Sequence, residues 1–305
     1  MKLHIIHILV LSFLFLGCTA TPIVDDPTQT PIPVTNTPEP TTSSPSTPTD
    51  ELVQSADLSG FASAWSRHDD GDIRDFYTEN ARYFTEYEIT QLTLQQPIQV
   101  QVTEDAFEEI VEKYVGFQMR ILGSPIKIFD KLVAFAYRWE NGESGYNGMS
   151  LLRYEGEKIL LQVDLTSTQL TTNEAEDILP LTDTSQLDLL MRVWNQADVE
   201  SARTLYAESP GIVSDEDLAQ APWRDHPVPA GFDDLLPQFV GWNPSIISQP
   251  LQLEDMVLFA WRWYDKEYPI GYGIRLLQFD DGVIASDIRF VIRPWEAGGK
   301  AFLTP

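Results

Sequence analysis

Two arginines stand where arginine is costly. Arg138 lies in the apolar stretch LVAFAYRW (132–139) and Arg262 in the nearly identical MVLFAWRW (256–263). A guanidinium taken out of water needs acceptors, because an unpaired buried charge is expensive. Two chemistries answer that need. Each arginine could recognise an anionic group in a pocket or at a seam between domains. Alternatively, each could close an ion pair with a carboxylate on a neighbouring strand, with Asp164 and Asp287 in the right places. Tyr146 and Tyr272 follow the two arginines at similar distances and offer an aromatic body with a polar tip. Arg138, Tyr146, Arg262 and Tyr272 are therefore the candidate ligand-binding residues.

The other reactive residue types are sparse. Beyond His4 and His7 the chain has only His68 and His226. His68, in RHDDGD, falls at the end of a helical pattern, where a cation suits the helix dipole. His226 sits in the proline-rich APWRDHPVPAG. The acidic HDDGD misses the calcium-loop spacing and its distal glutamate, so capping and solvation explain it, and no metal is expected. There is no cysteine cluster, P-loop or GxSxG, and Gly271-Tyr272-Gly273 is too short to cradle a phosphate; it reads as a relaxed strand. No cofactor is implied and no catalytic residue is assigned. For acid–base chemistry the available carboxylates are Asp164, Asp287 and Asp72, one of which would need a shifted pKa.

The elements that would position these groups occur twice. LSGFASAWSRHDDGDIRDFY and LDLLMRVWNQADVESARTLY align on Trp65 and Trp194 and bring Tyr77 onto Tyr206 without a gap. Leu58, Phe61, Ala62 and Trp65 fall at i, i+3, i+4, i+7, as do Leu187, Leu190, Met191 and Trp194, each an amphipathic stripe. Asp72 is expected to cap a second short helix carrying Ile73, Phe76 and Tyr77, and Asp198 to cap its counterpart. A third helix is read in AFEEIVEKYVGF and in GFDDLLPQFVGW, the latter kinked or shortened by Pro237. The arginine-bearing strands then alternate with period two: Phe135, Tyr137 and Trp139 on one face, Ala134, Ala136 and Arg138 on the other. Phe259, Trp261 and Trp263 stand likewise against Leu258, Ala260 and Arg262. A β-hairpin with an acidic-glycine turn closes each half.

The tryptophan helix with its acidic-glycine link, the AFEEIVEKYVGF helix and the GYNGMSLLRYEGEKILLQVDL hairpin resemble the nuclear transport factor 2-like superfamily, which includes the SnoaL-like proteins. The second half repeats all three. The resemblance implies an α+β fold with two cone-like domains, each of three N-terminal helices packed on a strongly curved, mainly antiparallel sheet with a pocket between. It also implies that the two copies could pair through their sheets as an intramolecular pseudo-dimer. Isomerases, dehydratases and polyketide cyclases occur in the superfamily, but their catalytic motif matches no positions here.

The start of the chain is of another kind. MKLHIIHILVLSFLFLGC has a short positive end and an apolar run, a secretory signal pattern. FLGC resembles a lipobox, which would make Cys18 the lipid attachment site. Residues 19–50 contain 21 Thr, Pro or Ser among 32, too few bulky apolar groups to fold, so they read as a disordered tether. The expected organisation is therefore a lipoprotein signal peptide at 1–18, the Thr/Pro-rich tether at 19–50, and nuclear transport factor 2-like domains at 51–169 and 181–305. A formal net charge of −26 repels phosphate backbones, which argues against nucleic-acid binding. The functional expectation is an extracytoplasmic protein held to a membrane by a lipid anchor, with two non-catalytic domains binding a small apolar ligand or a protein partner. The alternative is an isomerase, dehydratase or cyclase-type enzyme using a pocket carboxylate.

Overall fold

The computed structural model describes residues 53–86, 88–89, 101–142, 144–167, 178–220, 231–265 and 268–293. The signal-like start with Cys18, the Thr/Pro-rich stretch and His226 lie outside these residues.

Helix α1 (Ser59–Arg67) buries Phe61, Ala62 and Trp65, the stripe its spacing demands, and ends where His68 turns left-handed at φ 54°. Helix α2 (Asp70–Arg74) follows at once. Its cap is Asp69, whose carboxylate accepts from the backbone N–H groups of Gly71 and Asp72 at 3.0 and 3.2 Å. The expected cap, Asp72, is instead inside the helix and pairs with Arg67. Tyr77 also departs from expectation. It ends the helical run and opens a strand, because its ring must turn inward to the core while Glu79 and Asn80 stay outside. Helix α3 (Thr103–Lys113) completes the helical layer of this half and buries Phe107 and Ile110.

The strands of the first half are β1 (Val53–Ser55), β2 (Tyr77–Thr85), β3 (Gln101–Val102), β4 (Gln118–Ile128), β5 (Leu132–Asn141), β6 (Ser144–Glu155) and β7 (Lys158–Thr166). They form a seven-stranded sheet in the order β1-β4-β5-β6-β7-β2-β3. All pairings are antiparallel except β2 with β7.

The second half opens with β8 (Leu179–Pro180), then helix α4 (Ser185–Gln196) and helix α5 (Val199–Leu205), which Asp198 caps through Ser201 N–H at 3.1 Å. Next come β9 (Tyr206–Ser214), helix α6 (Asp215–Gln220) and helix α7 (Phe232–Leu235). At Leu236–Phe239 the helix tightens to a 3₁₀ turn, the shortening that Pro237 imposes. Strands β10 (Trp242–Ile246), β11 (Leu251–Leu253), β12 (Met256–Asp265), β13 (Tyr268–Asp280) and β14 (Val283–Ile292) complete a sheet in the order β8-β11-β12-β13-β14-β9, with β10 also paired to β12. Here too one pairing is parallel, β9 with β14. The β13–β14 turn places Asp281 and Gly282 at φ 48° and 83°, as a two-residue hairpin loop requires.

Strand alternation decides where the cores lie. Phe135, Tyr137 and Trp139 face the first helical layer with Phe61, Trp65 and Phe107. Phe259, Trp261 and Trp263 face the second with Leu190 and Trp194. The opposite faces of both sheets share a third core, in which Ala134, Ala136, Met149 and Leu151 of the first half join Leu258, Ala260, Leu276 and Phe290 of the second. Full burial of each Leu, Met or Phe there contributes roughly 1.5–3 kcal/mol. Polar contacts cross the same seam: Arg82 Nη1 donates to the Leu218 carbonyl at 3.0 Å, and Arg153 Nη1 to the Val291 carbonyl at 2.8 Å. Arg153 also pairs with the buried Asp215.

Candidate functional site

The arginines that alternation placed away from the aromatic face go to the seam. Arg138 is buried, and its Nη1 donates to Asn147 Oδ1 at 2.9 Å. Asn147 Nδ2 in turn donates to Glu254 Oε1 of the second half at 2.7 Å. Arg262 is half-buried; its Nε lies 3.3 Å from Ser245 Oγ and its guanidinium sits over the Tyr264 ring. Tyr272, cross-strand from Arg262, packs edge-on against Phe129 of the first half at 5.3 Å. Tyr146 points the other way, toward Tyr114 and Phe117. The four candidates are therefore divided: three belong to the seam and one to the first interior.

The expected ion pairs of these arginines with Asp164 and Asp287 do not form. Those carboxylates lie on the opposite, inner faces of their sheets. Asp287 is fully buried (0% exposed) and takes a bidentate pair from Arg275, with Nε to Oδ1 at 2.7 Å. Tyr206 O–H donates to the same carboxylate, and both Trp194 Nε1 and Arg275 Nη2 donate to the Tyr206 oxygen at 3.0 Å. Burial pushes the Asp287 carboxyl up, but the Arg275 charge and hydrogen bonds outweigh it and hold the group below the ordinary carboxylate range. Arg275 itself is 1% exposed.

A second guanidinium lies directly across the strand. Arg289 on β14 is in register with Arg275 on β13, and only 6% of it is exposed. Its guanidinium sits 4.5 Å from the centroid of Trp194 and 5.4 Å from that of Phe239, while Arg275 lies 4.8 Å from Trp194. Burial lowers the Arg289 pKa; Asp287 counters that and Arg275 adds to it.

A cleft opens beside this cluster. Trp194, Phe239, Trp242, Pro244, Trp261, Trp263 and Arg275 line it, around some 240 Å³ of non-atom space that includes the part open to solvent. The space within it that a water-sized group can reach is about one water molecule in all. Trp242 and Trp263 stack nearly parallel, 6.0 Å apart, and Trp242 remains 36% exposed at the lip. The Gly-Tyr-Gly stretch has a definite task here. A Cβ on Gly271 would fall 2.0 Å from Trp263 Cζ2, and one on Gly273 2.7 Å from Trp261 Nε1, so the two glycines make way for the two indoles.

The first interior is built differently at matching registers. Tyr77 O–H donates to Gln162 there, where Tyr206 meets Asp287 in the second half. Ser150 pairs across the strands with Asp164, where Arg275 pairs with Arg289. Asp164 is 6% exposed, accepts from Tyr83 O–H, and is contacted by Gln162 Nε2 at 3.0 Å. Burial raises its pKa, offset in part by those hydrogen bonds. Tyr114 stacks on Trp139 at 4.6 Å, and His68 covers the same indole while its Nε2 bonds the Tyr114 carbonyl at 2.8 Å. Asp72, the third candidate carboxylate, is a surface group paired with Arg67.

Sequence reasoning missed Arg275 and Arg289. A signal was present: GIRLLQF and SDIRFVI both carry arginine at inward positions of an apolar strand, as the FAWRW strand does at an outward one.

No protein-family model matches the chain, and no curated protein matches its sequence. Solved structures do resemble parts of it. The fold neighbours are SnoaL-like and nuclear transport factor 2-like proteins. A SnoaL-like protein of unknown function from Burkholderia thailandensis is 13% identical, with a TM-score of 0.29, over 36% of this chain and 89% of that one. An NTF2-like protein of unknown function from Cytophaga hutchinsonii is 9% identical, with a TM-score of 0.27, over 36% and 86%. A protein with a ketosteroid isomerase-like fold from Catenulispora acidiphila, solved with trimethylamine, is 14% identical, with a TM-score of 0.27, over 35% and 82%. Each spans about a third of the chain.

Proposed function

We propose that the chain is an extracytoplasmic lipoprotein, anchored through Cys18, whose folded part is a pair of cone-like nuclear transport factor 2-like units at 51–169 and 181–305. The pair joins through its sheets and acts by binding a small, mainly apolar molecule in the second unit. The anchor and the tether come from the signal-like start, the FLGC motif and the Thr/Pro-rich stretch. Support for two units comes from the repeated sequence pattern and from two sheets with like strand order, each with a single parallel pairing.

The observation that carries the binding reading is the tryptophan-walled cleft between the helices and sheet of the second half. The carboxylate nearest it is a poor proton carrier. Asp287 is tied up by Arg275 and Tyr206 and held ionised, so the cleft offers recognition without an acid or base poised near neutrality. A thermal-shift screen of the full chain against a broad metabolite library tests this. At least one small molecule should raise Tm, and the shift should disappear in Trp242→Ala. No shift with any compound would sink the reading.

One observation favours the enzymatic alternative, an isomerase, dehydratase or cyclase-type activity. Asp164 is a buried carboxyl with a raised pKa, bonded to a tyrosine. Turnover of any screened compound that is abolished by Asp164→Asn would establish that alternative.

A further inference from the structure

The cleft of the second half has a one-sided hydrogen-bonding inventory. Arg289 is not itself a cleft wall but packs on two that are, Trp194 and Phe239; among the described residues its guanidinium makes no hydrogen bond or ion pair, and its Nε is buried with no partner. Trp261 Nε1, on a cleft wall, is likewise buried and unpartnered. Arg275 spends Nε and Nη2 on Asp287 and Tyr206, and its Nη1 bonds none of the described residues. All of these are donors. The acceptor at hand, Asp287, is already engaged by Arg275 and Tyr206. The remaining walls are Trp, Phe and Pro, which accept nothing of consequence. Asn195 Oδ1 is an unpartnered acceptor in this half, but its amide pairs with Asn243 and it is not a cleft wall.

The charges are equally unbalanced. Two guanidiniums face each other in register; Asp287 pairs with Arg275, while Arg289 feels Asp287 and the half-buried Asp217 without bonding either. Like charges directly opposed on adjacent strands repel, and a buried cation without an acceptor is costly. The indole of Trp194 beneath both guanidiniums offsets part of that cost. In a chain of net charge −26, with many carboxylates available, a buried cluster carrying one surplus positive charge is a specific arrangement.

We propose that this cleft binds a small organic carboxylate. The carboxylate head turns toward Arg275 and Trp261 Nε1 on the cleft wall, with the Arg289 charge against the Trp194 and Phe239 rings, and a flat apolar body rests at the mouth on Trp242 and Trp263. The proposal rests on the reading that the second half binds a ligand, and it names the ligand's class. The charged head faces the buried donors, and the ring stays at the exposed Trp242 lip. One negative charge cancels the surplus, and its two oxygens match donors that otherwise have no acceptor.

Three probes of one skeleton test it by calorimetry on the full chain: phenylacetate, phenylacetamide and phenethylamine. Phenylacetate should bind at least tenfold more tightly than the neutral amide, and the amine should not bind. Arg289→Gln should erase the preference for the acid while leaving the amide's affinity within about twofold. Trp242→Ala should weaken acid and amide alike. Equal affinity for acid and amide, or a preference that survives Arg289→Gln, overturns the proposal. The comparison among probes needs no variant, so misfolding of Arg289→Gln cannot rescue the idea. If cations or neutral compounds bind, Trp242→Ala removes them and carboxylates do not bind, the carboxylate assignment falls while the binding reading stands. If the library screen gives no shift at all, both fall.

Discussion

The two interiors of this chain share a plan and differ in charge. At matching registers the first holds Ser150, Gln162 and Asp164; the second holds Arg275, Asp287 and Arg289. The first packs aromatic side chains around a carboxyl that burial pushes toward its neutral form. The second keeps three ionised groups beside a cleft. Similar backbone pairing thus supports opposite electrostatics. What the sheet fixes is which positions look inward; what those positions carry is free to change.

The largest effect should come from removing the one carboxylate that balances the second interior. Asp287→Ala leaves the buried Arg275 without its ion-pair partner and Arg289 with only the more distant Asp217, and should cost about 3–5 kcal/mol in denaturant unfolding. The matching Gln162→Ala in the first half removes a neutral amide that accepts from Tyr77 and donates to Asp164, and should cost about 1–3 kcal/mol. Equal costs would break the comparison.

The seam supplies the next test. Burial, ahead of the opposing Arg153 charge, raises the Asp215 pKa to about 6. A carboxyl that holds its proton more tightly when folded favours the fold at low pH. Stability from this group therefore falls as pH rises from its unfolded value near 4 to about 6, by on the order of 2–3 kcal/mol. Asp215→Asn should flatten that part of the profile. The two interiors should show the same logic with opposite signs: the lowered Asp287 adds stability above the unfolded carboxyl pKa and loses it on acidification, whereas the raised Asp164 loses stability as pH rises.

Smaller effects come from the caps and from Ser150. Asp69→Ala and Asp198→Ala each remove an N-cap and should cost about 1 kcal/mol by the same unfolding assay. Ser150→Ala removes a hydroxyl that lies across from the buried Asp164 and helps to keep that carboxyl ionised, and should cost no more than about 1 kcal/mol.

The fold was largely legible because it follows from period. The spacing of Phe61 and Trp65 names a helix face, and the alternation around FAYRW and FAWRW separates inner from outer residues without coordinates. Two things escaped. The starts of β2 and β9 look like helix ends, because Tyr77 and Tyr206 fit the helical stripe and a strand paired in parallel carries little alternation of its own. The site escaped for a related reason. Arg138 and Arg262 drew notice as charges in apolar strands, yet alternation already put them on the face away from Trp139 and Trp263. Arg275 and Arg289 sit on the aromatic face, but recognising them required knowing that they are cross-strand neighbours, a long-range fact no local pattern encodes. That Asp287 belongs to Arg275 rather than Arg262 is the same fact seen from the acid.

The shared apolar layer between the sheets has a consequence for how this molecule can change over time. Each half rests its outer strand faces on the other, so part of what holds the chain together lies outside both inner chambers. A change inside one chamber therefore leaves that joint layer untouched. One chamber can keep a lone carboxyl among its aromatics while its twin acquires guanidiniums, an opening and a taste for a particular guest.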